Sequence, residues 1–365
     1  MNVCLDEATM STTALAYLPA AGRFVATRVD LVLIGARGQV GSAFRRRLAQ
    51  QQATLRHELD LNLVLLAGLD RRGFAFDLQG LVPDEIETQL RAREESDFEH
   101  LIAHLTRPGS GPALAIDCSA SEEITDLYPR LLAGGVGIVT ANKRGNARAL
   151  SFYRELQRLA QQHAAPYCYE TTAGAAIPVL GSLRDLRQRG ERVTSIRGVL
   201  SGSLSYILAR VQDDGLDFST AVAEAAALGY TEPDPSEDLC LRDVTRKLLG
   251  LAREAGFALD ANQIDIEPID DDGQWPERVG AARASGQRWV VLAEADDQGG
   301  RIGLRCLPGD SPFATLRPGE NLVQVTTDLQ REVPLTLAGP GAGPEVTAAG
   351  VFSDVLAAAR QLARR

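Results

Sequence analysis

The chain has 365 residues, of which 45% are hydrophobic, and it carries a formal net charge of −10. This length exceeds one ordinary domain and suits two, each with enough apolar residues to bury a core. The acidic balance, without a long basic stripe, argues against nucleic acid as a partner. Because no uninterrupted apolar run reaches about 18 residues, we expect no membrane-spanning helix and no membrane partner.

The N-terminus and the cysteines both favour a cytoplasmic protein. Residues 1–27 contain acids and no basic region ahead of their apolar residues, so they do not resemble a secretory signal and are expected to form a poorly structured lead-in. The five cysteines are widely spaced, and no CxxC pair occurs. This pattern fits reduced thiols better than a disulfide framework or a zinc site.

Lysine is rare in this chain. Among 38 basic residues only Lys143 and Lys247 are lysines, and the others are arginines. An arginine keeps its proton at any biological pH, whereas a partly buried lysine can release it. The two lysines are therefore candidates for proton transfer, although chance placement explains them equally well.

The first predicted element is a strand over 29–34, followed by a glycine-rich turn and a helix that starts near residue 42. This order is the context of a dinucleotide-binding unit, in which small residues allow the backbone to approach a pyrophosphate and the helix N-terminus favours its charge. Such turns are also common without a nucleotide. The candidate cofactor-binding residues of the turn are Gly35, Arg37, Gly38, Gln39, Val40 and Gly41.

A second strand is predicted over 61–69, and it ends at Asp70 and Arg71. In a dinucleotide-binding unit an acid at this place accepts hydrogen bonds from the 2′-hydroxyl of NAD, whereas an arginine pairs with the 2′-phosphate of NADP. The sequence offers both side chains, so the choice stays open with a preference for NADP. A solvated turn is the alternative interpretation.

The next segments continue an alternation of strands and helices. Residues 83–106 are predicted as helical, and His100 and His104 share one face there, where packing is favoured over metal binding. Buried-type strands follow at 113–119 and 136–140.

The pattern changes after about residue 165. Strands predicted over 288–295, 300–306, 322–327 and 333–339 indicate a second α/β domain with a mixed or antiparallel sheet, and the last helix follows a glycine loop at 339–343.

An acidic, proline-containing loop over 229–238 precedes a predicted helix near 238–255. Its two prolines stiffen an extended chain, and Asp238 is a candidate N-cap. On the helix, Asp243 and Lys247 are four residues apart and therefore share one face. Such spacing usually means a surface ion pair. The rigid acidic loop, which includes Glu232, could instead hold an amino group next to a functional lysine.

The stretch LGYTEPDPSEDLCLRDVTRK (228–247) resembles the signature of homoserine dehydrogenases. The resemblance continues, in the same order, from about residue 29 to the C-terminus. It is closest to the dehydrogenase half of bifunctional aspartokinase–homoserine dehydrogenases, and we expect neither a kinase nor a regulatory domain in this chain. Further matching segments are TANK (140–143), YETTAGAAIP (169–178), LSGSLSYIL (200–208) and AGPGAGPEVTAAGVFSDV (338–355).

This resemblance implies an α/β fold with two domains. A Rossmann-type NAD(P)-binding domain would span 28–165, with 339–365 returning to it, and an α+β catalytic and dimerisation domain with a mixed sheet would span 166–338. The implied activity is the reversible reduction of L-aspartate 4-semialdehyde to L-homoserine with NADP or NAD, in threonine, methionine and isoleucine biosynthesis. A homodimer is also implied.

The resemblance assigns roles to individual residues. Lys247 matches the proton donor and acceptor, and Lys143 matches a lysine at the junction of cofactor and substrate. Asp243 matches an acid near the reacting centre. Glu232 matches the carboxylate that binds the substrate amino group, and Asp238 is grouped with these substrate-binding acids.

Other matches concern the cofactor and a cation. Ser119 and Gly343 match positions that contact the cofactor. The side chain of Glu170 and three backbone carbonyls match a monovalent cation site, and hard oxygen ligands suit Na⁺ or K⁺. The carbonyls belong to Ala173, Ala175 and Ile177.

Two departures from the family pattern leave other functions open. Leu241 replaces a glycine usually found two residues before Asp243, and a bulkier helix surface would shift the active-site helix. Arg37 and Gln39 replace small or apolar residues in the glycine turn. One alternative is a nicotinamide enzyme for another amino-acid aldehyde or hydroxy acid, and a substrate that lacks an amino group would not need the Glu232 loop. The other alternative is a catalytically silent binding protein, which would bind nucleotide without turnover.

Overall fold

A computed structural model of the protein describes residues 26–231 and 236–364. Its first sheet has seven strands in the order β4-β3-β2-β1-β5-β6-β7. The pairs among β1, β2, β5, β6 and β7 are parallel, whereas β3 and β4 pair antiparallel at one edge. These strands are β1 Thr27–Ile34, β2 Leu61–Leu69, β3 Gly73–Phe76, β4 Arg91–Ala92, β5 Ala113–Asp117, β6 Gly137–Thr140 and β7 Tyr167–Cys168.

Helices cover both faces of this sheet, which is why its central strands are apolar and buried along most of their length. The predicted dinucleotide-binding order of strand, turn and helix is confirmed. The helices of this part of the chain are α1 Gln39–Glu58, α2 Ile86–Gln89, α3 Asp97–Leu105, α4 Glu122–Thr125, α5 Tyr128–Ala133, α6 Arg144–Ala147 and α7 Leu150–Gln162.

The prediction of a single helix over 83–106 is wrong. A 3₁₀ turn at Pro83–Glu85 leads into α2, and the chain then becomes extended as β4 before α3 begins. Arg91 pairs with Phe74 and Ala92 with Gly73 of β3, so pairing with the sheet edge overrides the local helical pattern. His100 and His104 both lie on α3, as their spacing predicted.

The second sheet has six strands in the order β13-β12-β8-β10-β11-β9. It is mixed, as predicted, because β9 runs parallel to β11 while the other pairs are antiparallel. Its strands are β8 Val193–Val199, β9 Ile264–Ile266, β10 Gln287–Ala295, β11 Gly300–Pro308, β12 Glu320–Thr327 and β13 Leu335–Pro340. The accompanying helices are α8 Thr171–Gly174, α9 Val179–Gln188, α10 Gly202–Asp213, α11 Phe218–Ala227, α12 Ser236–Leu239, α13 Arg242–Ala255 and α14 Trp275–Ala284.

The last helix, α15 Pro344–Leu362, packs on the first sheet and not on the second. Its buried face includes Val351 and Val355, and the ring of Phe352 lies 6.0 Å from that of Phe44 on α1. A separate large core fills the space between the second sheet and helices α9, α10 and α13. Among the residues that the structure describes, no helix combines the length and apolar character needed to cross a membrane.

The order of the first sheet places a crevice where the candidate cofactor residues lie. Strands β1 and β5 are neighbours, although α1 leaves β1 toward one side and the chain after β5 leaves toward the other. Ligands of doubly wound sheets bind at this reversal, outside the carboxyl ends of the strands. Gly35 follows β1 there, and Ser119 follows β5.

Candidate active site

The glycine turn after β1 is shaped by two close backbone approaches. A Cβ atom on Gly41 would lie 2.1 Å from the carbonyl oxygen of Gly35, and one on Gly35, where φ is +82°, would lie 2.9 Å from that of Cys118. No larger side chain fits either position. The turn therefore lies directly against the chain that carries Ser119, and α1 begins at Gln39 with its N-terminal amides facing this crevice. This shape fits the pyrophosphate of a dinucleotide.

The end of β2 carries an ion pair that spans the glycine turn. Arg37 donates from Nε to Oδ2 of Asp70 at 2.5 Å and from Nη2 to Oδ1 at 2.7 Å. The backbone amides of Arg72 and Gly73 donate to Oδ1 as well. The hydrogen bonds from Arg37 are the main reason that the pKa of Asp70 is lowered to about 2. Arg71 is exposed beside the pair.

Asp243 and Lys247 meet on the first turns of α13. Nζ of Lys247 lies 2.9 Å from Oδ2 of Asp243, which confirms that the two share one helix face. The pair is not an ordinary surface one, because Lys247 is only 8% exposed. Its ammonium also donates to the backbone carbonyl of Leu200 at 2.7 Å.

Lys143 approaches Asp243 from the first domain. Its Nζ lies 3.5 Å from Oδ1, so the two lysines occupy opposite oxygens of one carboxylate. Burial is the main cause that lowers the pKa of Lys143. Burial alone would raise the pKa of Asp243, but the charges of Lys247 and Lys143 outweigh it and lower that pKa well below its usual range. The result is a carboxylate flanked by two amino groups, all partly open to the crevice.

Asp117 connects the lysine loop to the cofactor side of the crevice. This fully buried carboxylate accepts hydrogen bonds from the amide of Ser119 at 2.8 Å, from Tyr128 Oη at 2.7 Å and from Asn142 Nδ2 at 3.0 Å. Asn142 immediately precedes Lys143. Desolvation raises the pKa of Asp117, so the network replaces the water that a buried carboxylate loses. The glycine turn, Ser119 and Lys143 therefore belong to one contiguous region.

The glycine loop before α15 reaches the same region from the second sheet. Asn321, which is fully buried, donates to the carbonyl of Leu200 that also binds Lys247. A Cβ on Gly341 would lie 2.2 Å from the amide oxygen of Asn321. Gly343 then begins α15 with φ at +131°, a conformation open to glycine.

Sequence reasoning missed Asp117, Asn321 and the carbonyl of Leu200. An acid at the end of a buried strand marks Asp117, since such a group must find partners. No local signal identifies Asn321, which meets Lys247 only through the fold.

The start of the active-site helix differs from the sequence prediction. Residues 236–239 form the separate helix α12, and α13 begins only at Arg242, so Asp238 does not cap it. Leu241 occupies the N-cap position with φ at +62°, the left-handed region that favours glycine, and its side chain is fully buried in the second core. Leu241 is therefore not part of a bulkier helix surface. Glu232 and the side chain of Asp238 lie outside the described part of the structure.

The candidate cation loop joins β7 to α9. Glu170 accepts hydrogen bonds from the amides of Leu180 and Gly181, at 2.7 Å each, and its own amide donates to Asp354 of α15. Burial raises the pKa of Glu170 to about 7 and that of Asp354 to about 6. The two carboxylates are partly buried, and the charge of Arg184 offsets that burial only in part, so the pair fits a further positively charged ligand. The three predicted carbonyl residues follow within and just after α8, and they are Ala173, Ala175 and Ile177.

Comparison with protein-family models supports both halves of this description. Residues 37–170 match the NAD binding domain of homoserine dehydrogenase, and residues 178–356 match the homoserine dehydrogenase family itself. The chain is similar to the bifunctional aspartokinase/homoserine dehydrogenase of Haemophilus influenzae, with 32% identity over 348 residues. That match covers 90% of this chain but 42% of its relative, so the chain spans about two fifths of the relative's length.

Solved structures show the same architecture. A protein assigned as a homoserine dehydrogenase from Archaeoglobus fulgidus superposes with a TM-score of 0.77 and 25% identity, covering 90% of this chain and 98% of that one. A hyperthermophilic archaeal homoserine dehydrogenase in complex with NADPH has the same fold, with a TM-score of 0.73, 24% identity and coverage of 91% and 98%. With a dinucleotide crevice, two lysines on one carboxylate and family matches along both domains, the chain belongs to the homoserine dehydrogenase family.

Proposed function

We propose that the chain catalyses the reversible, NAD(P)-dependent reduction of L-aspartate 4-semialdehyde to L-homoserine. The observation that carries this proposal is the convergence of Lys143 and Lys247 on Asp243 beside the dinucleotide crevice. Aldehyde reduction places a hydride on carbon and negative charge on oxygen. An ammonium group next to that oxygen stabilises the charge and supplies the proton.

The cofactor side of the crevice would hold NADP or NAD. The turn at 35–41 and the amides that begin α1 suit the pyrophosphate, with Ser119 and Gly343 as further contacts. When bound, the nicotinamide supplies or accepts the hydride. The network around Asp117 keeps Lys143 and the Ser119 segment in a constant relation, which orients the reacting groups.

Lys247 is the proposed proton donor and acceptor. Its ammonium is held by Asp243 and by the carbonyl of Leu200, so one N–H remains to be directed at a substrate oxygen. Lys143, with its lowered pKa and its place on the cofactor domain, lies between cofactor and substrate. Glu232 and Asp238 are proposed, from the sequence resemblance, to bind the far end of the substrate through its amino group.

The biological setting is proposed on less direct grounds. We infer that the chain serves threonine, methionine and isoleucine biosynthesis in the cytoplasm, as a homodimer that uses Na⁺ or K⁺ at Glu170. Within the described residues no disulfide joins the cysteines, which agrees with a reducing compartment. Bifunctional relatives that carry an aspartokinase support the pathway.

An activity assay with both cofactors tests the reaction. Purified protein should reduce NADP or NAD with L-homoserine, measured by absorbance of the reduced nicotinamide. 4-Hydroxybutanoate, which has the same alcohol and carboxylate but no amino group, should be a poor substrate. Equal turnover of both compounds would favour a different hydroxy-acid dehydrogenase, and nucleotide binding without turnover would favour a silent binding protein.

Substitution of the lysines tests the assignment of proton transfer. Lys247→Ala should lower kcat by at least about 100-fold, the usual contribution of a general acid, while cofactor affinity is retained. Lys247→Arg should also be poor, because its positive charge remains but its proton is not released. The kcat of Lys247→Ala is compared with that of Lys143→Ala, which removes the other lysine that contacts Asp243. Normal turnover of the Lys247→Ala variant would show that the assignment is wrong.

A further inference from the structure

Arg253 lies at the opposite end of α13 from Asp243, and its guanidinium is completely buried. Nη1 donates to the backbone carbonyls of Asn146 at 2.6 Å and Arg148 at 2.7 Å. Nε donates to the carbonyl of Leu259 at 3.0 Å, and Nη2 donates to Oδ1 of Asp260 at 3.1 Å. A planar fork of fixed donors is therefore engaged on all sides, which a lysine could not reproduce.

The acceptors of Arg253 follow closely behind Lys143. Asn146 and Arg148 stand three and five residues after that lysine. Oδ1 of Asp260 also accepts the amide of Leu150 at 2.7 Å. One guanidinium and its partner carboxylate thus hold residues 146–150 of the first domain against a helix of the second domain.

Helix α13 is consequently attached to segment 143–150 at two separate points. Near its start, Asp243 contacts Nζ of Lys143, and ten residues later Arg253 contacts Asn146 and Arg148. Ten residues of α-helix correspond to about 15 Å. A single contact would leave segment 143–150 free to pivot against the helix, whereas two contacts at this separation define both its position and its direction.

We propose that Arg253 is a positioning residue that aligns Lys247 and Asp243 with Lys143 across the two domains. The proposal rests on the proposed function for its kinetic consequences. The guanidinium of Arg253 is completely buried against protein groups, and it acts by holding the segment that carries Lys143 at a constant distance from the helix that carries Lys247. Displacement by about 1 Å is sufficient to cost about 100-fold in rate.

Removal of the guanidinium gives the direct test. The Arg253→Ala variant should lose about 100-fold in kcat, as expected for misaligned catalytic groups. Its affinity for NADPH, measured by fluorescence titration, should stay within twofold or so of the wild type, because the glycine turn is not held by Arg253. Guanidinium chloride at low millimolar concentration should restore turnover, whereas sodium chloride at equal ionic strength should not.

A matched variant separates positioning from general stability. Arg283 also donates to a backbone carbonyl, that of Gln212 at 2.7 Å, but both residues lie in the second domain. Arg283→Ala should lower the Tm without a comparable loss of kcat. Equal losses of kcat in the two variants, or failure of guanidinium to restore the Arg253→Ala variant, would overturn the proposal.

Hydrogen exchange provides a readout that does not depend on turnover. Amides of segment 143–150 should exchange faster in the Arg253→Ala variant, and guanidinium should slow them again. If wild-type protein shows no homoserine oxidation while these exchange changes occur, the proposed function fails and the positioning by Arg253 stands. Unchanged exchange in segment 143–150 would contradict the positioning role of Arg253.

Discussion

At the scale of single residues, Asp243 is the group on which the site depends. Two ammonium groups approach its two oxygens at 2.9 and 3.5 Å, and without this carboxylate they would repel each other. Burial lowers the pKa of Lys143, and the charge of Asp243 opposes that lowering, while its Oδ2 holds Nζ of Lys247 at 2.9 Å. Each lysine is paired with one oxygen of Asp243, and its side chain remains partly exposed to the crevice.

Asp243→Asn should change the pH dependence of turnover. The aldehyde-reducing direction is favoured by positive charge on Lys143 next to the reacting centre, so the rate should fall as pH rises through the pKa of Lys143. Asp243 raises the pKa of Lys143, and its loss should therefore move this fall to lower pH. Rates of NADPH oxidation with aspartate 4-semialdehyde across pH 6 to 10 would measure the shift.

Two outcomes with the Asp243→Asn variant would contradict this prediction. A fall that moves to higher pH, or does not move, would mean that Asp243 does not control the protonation of Lys143. Asp77→Asn, an exposed carboxylate of the first domain, serves as the control for general charge effects.

We expect cofactor preference also to depend on one pair of residues. Asp70 occupies two donors of Arg37, so this arginine is not free to meet a 2′-phosphate. Asp70→Ser should release it and raise the ratio of kcat/KM for NADP over NAD by about tenfold, equivalent to about 1.4 kcal/mol for a charged hydrogen bond. Steady-state kinetics with both cofactors, with Asp77→Ser as control, would measure this ratio. A ratio that shifts toward NAD would refute the role of the pair.

At the scale of elements, the active-site helix α13 is determined partly by local sequence and partly by packing. The four-residue spacing of Asp243 and Lys247 is sufficient to place them together once α13 exists. The start of α13 is not predicted by residue spacing, because Leu241 adopts a left-handed conformation there that costs about 1 kcal/mol or more. Burial of its side chain in the second core offsets that cost.

The loop that connects β7, α8 and α9 carries the prediction about monovalent cations. A cation bound at Glu170 would stabilise the folded chain, since it offsets the burial of Glu170 and Asp354. Na⁺ or K⁺ should therefore raise the Tm by about 3 °C relative to tetramethylammonium at equal ionic strength, the effect of roughly 1 kcal/mol.

Calorimetry of wild type and Glu170→Gln would decide the matter. The variant should lose the difference between the salts, whereas Glu155→Gln, a half-exposed carboxylate on α7 that pairs with Arg158, should keep it. Equal melting temperatures in all salts for the wild type would argue against a cation at this loop.

At the scale of the whole molecule, the outer face of the second sheet is divided. One part is covered by the chain between β11 and β12, where Phe313 packs on Val290, Leu292 and Leu322. The other part is charged, with Arg197 at 2.9 Å and Arg305 at 3.7 Å from the carboxylate of Glu294. A partner chain would therefore meet an ionic surface and not an apolar one.

The proposed homodimer gives a prediction about mass. Light scattering at micromolar concentration should show two chains per particle, and reversal of charge in Arg197→Glu with Arg305→Glu should weaken association by at least about tenfold. Arg158→Glu on α7 is the control, because it lies on the first domain. A particle of one chain would contradict the dimer, and a double variant that stays dimeric would exclude this face as the interface.

The sequence by itself determined the fold class, the family and the pairing of Asp243 with Lys247. These features follow from short-range patterns: an apolar strand before glycines, a helix spacing of four, and ordered motifs along the chain. The sequence also indicated both lysines, because they are so few. The domain boundaries, the cation ligands and the roles of Glu232 and Asp238 remain predictions.

The tertiary structure alone decided which distant residues meet. Lys143 and Asp243 are a hundred residues apart, and only packing of α13 against the first domain joins them. The same holds for three other features. Strand β4 interrupts the 83–106 segment, Leu241 adopts a left-handed conformation, and Asp117 and Arg253 make hydrogen bonds to remote segments. In each case the deciding contact is with a part of the chain that is remote in sequence, which the neighbouring residues do not encode.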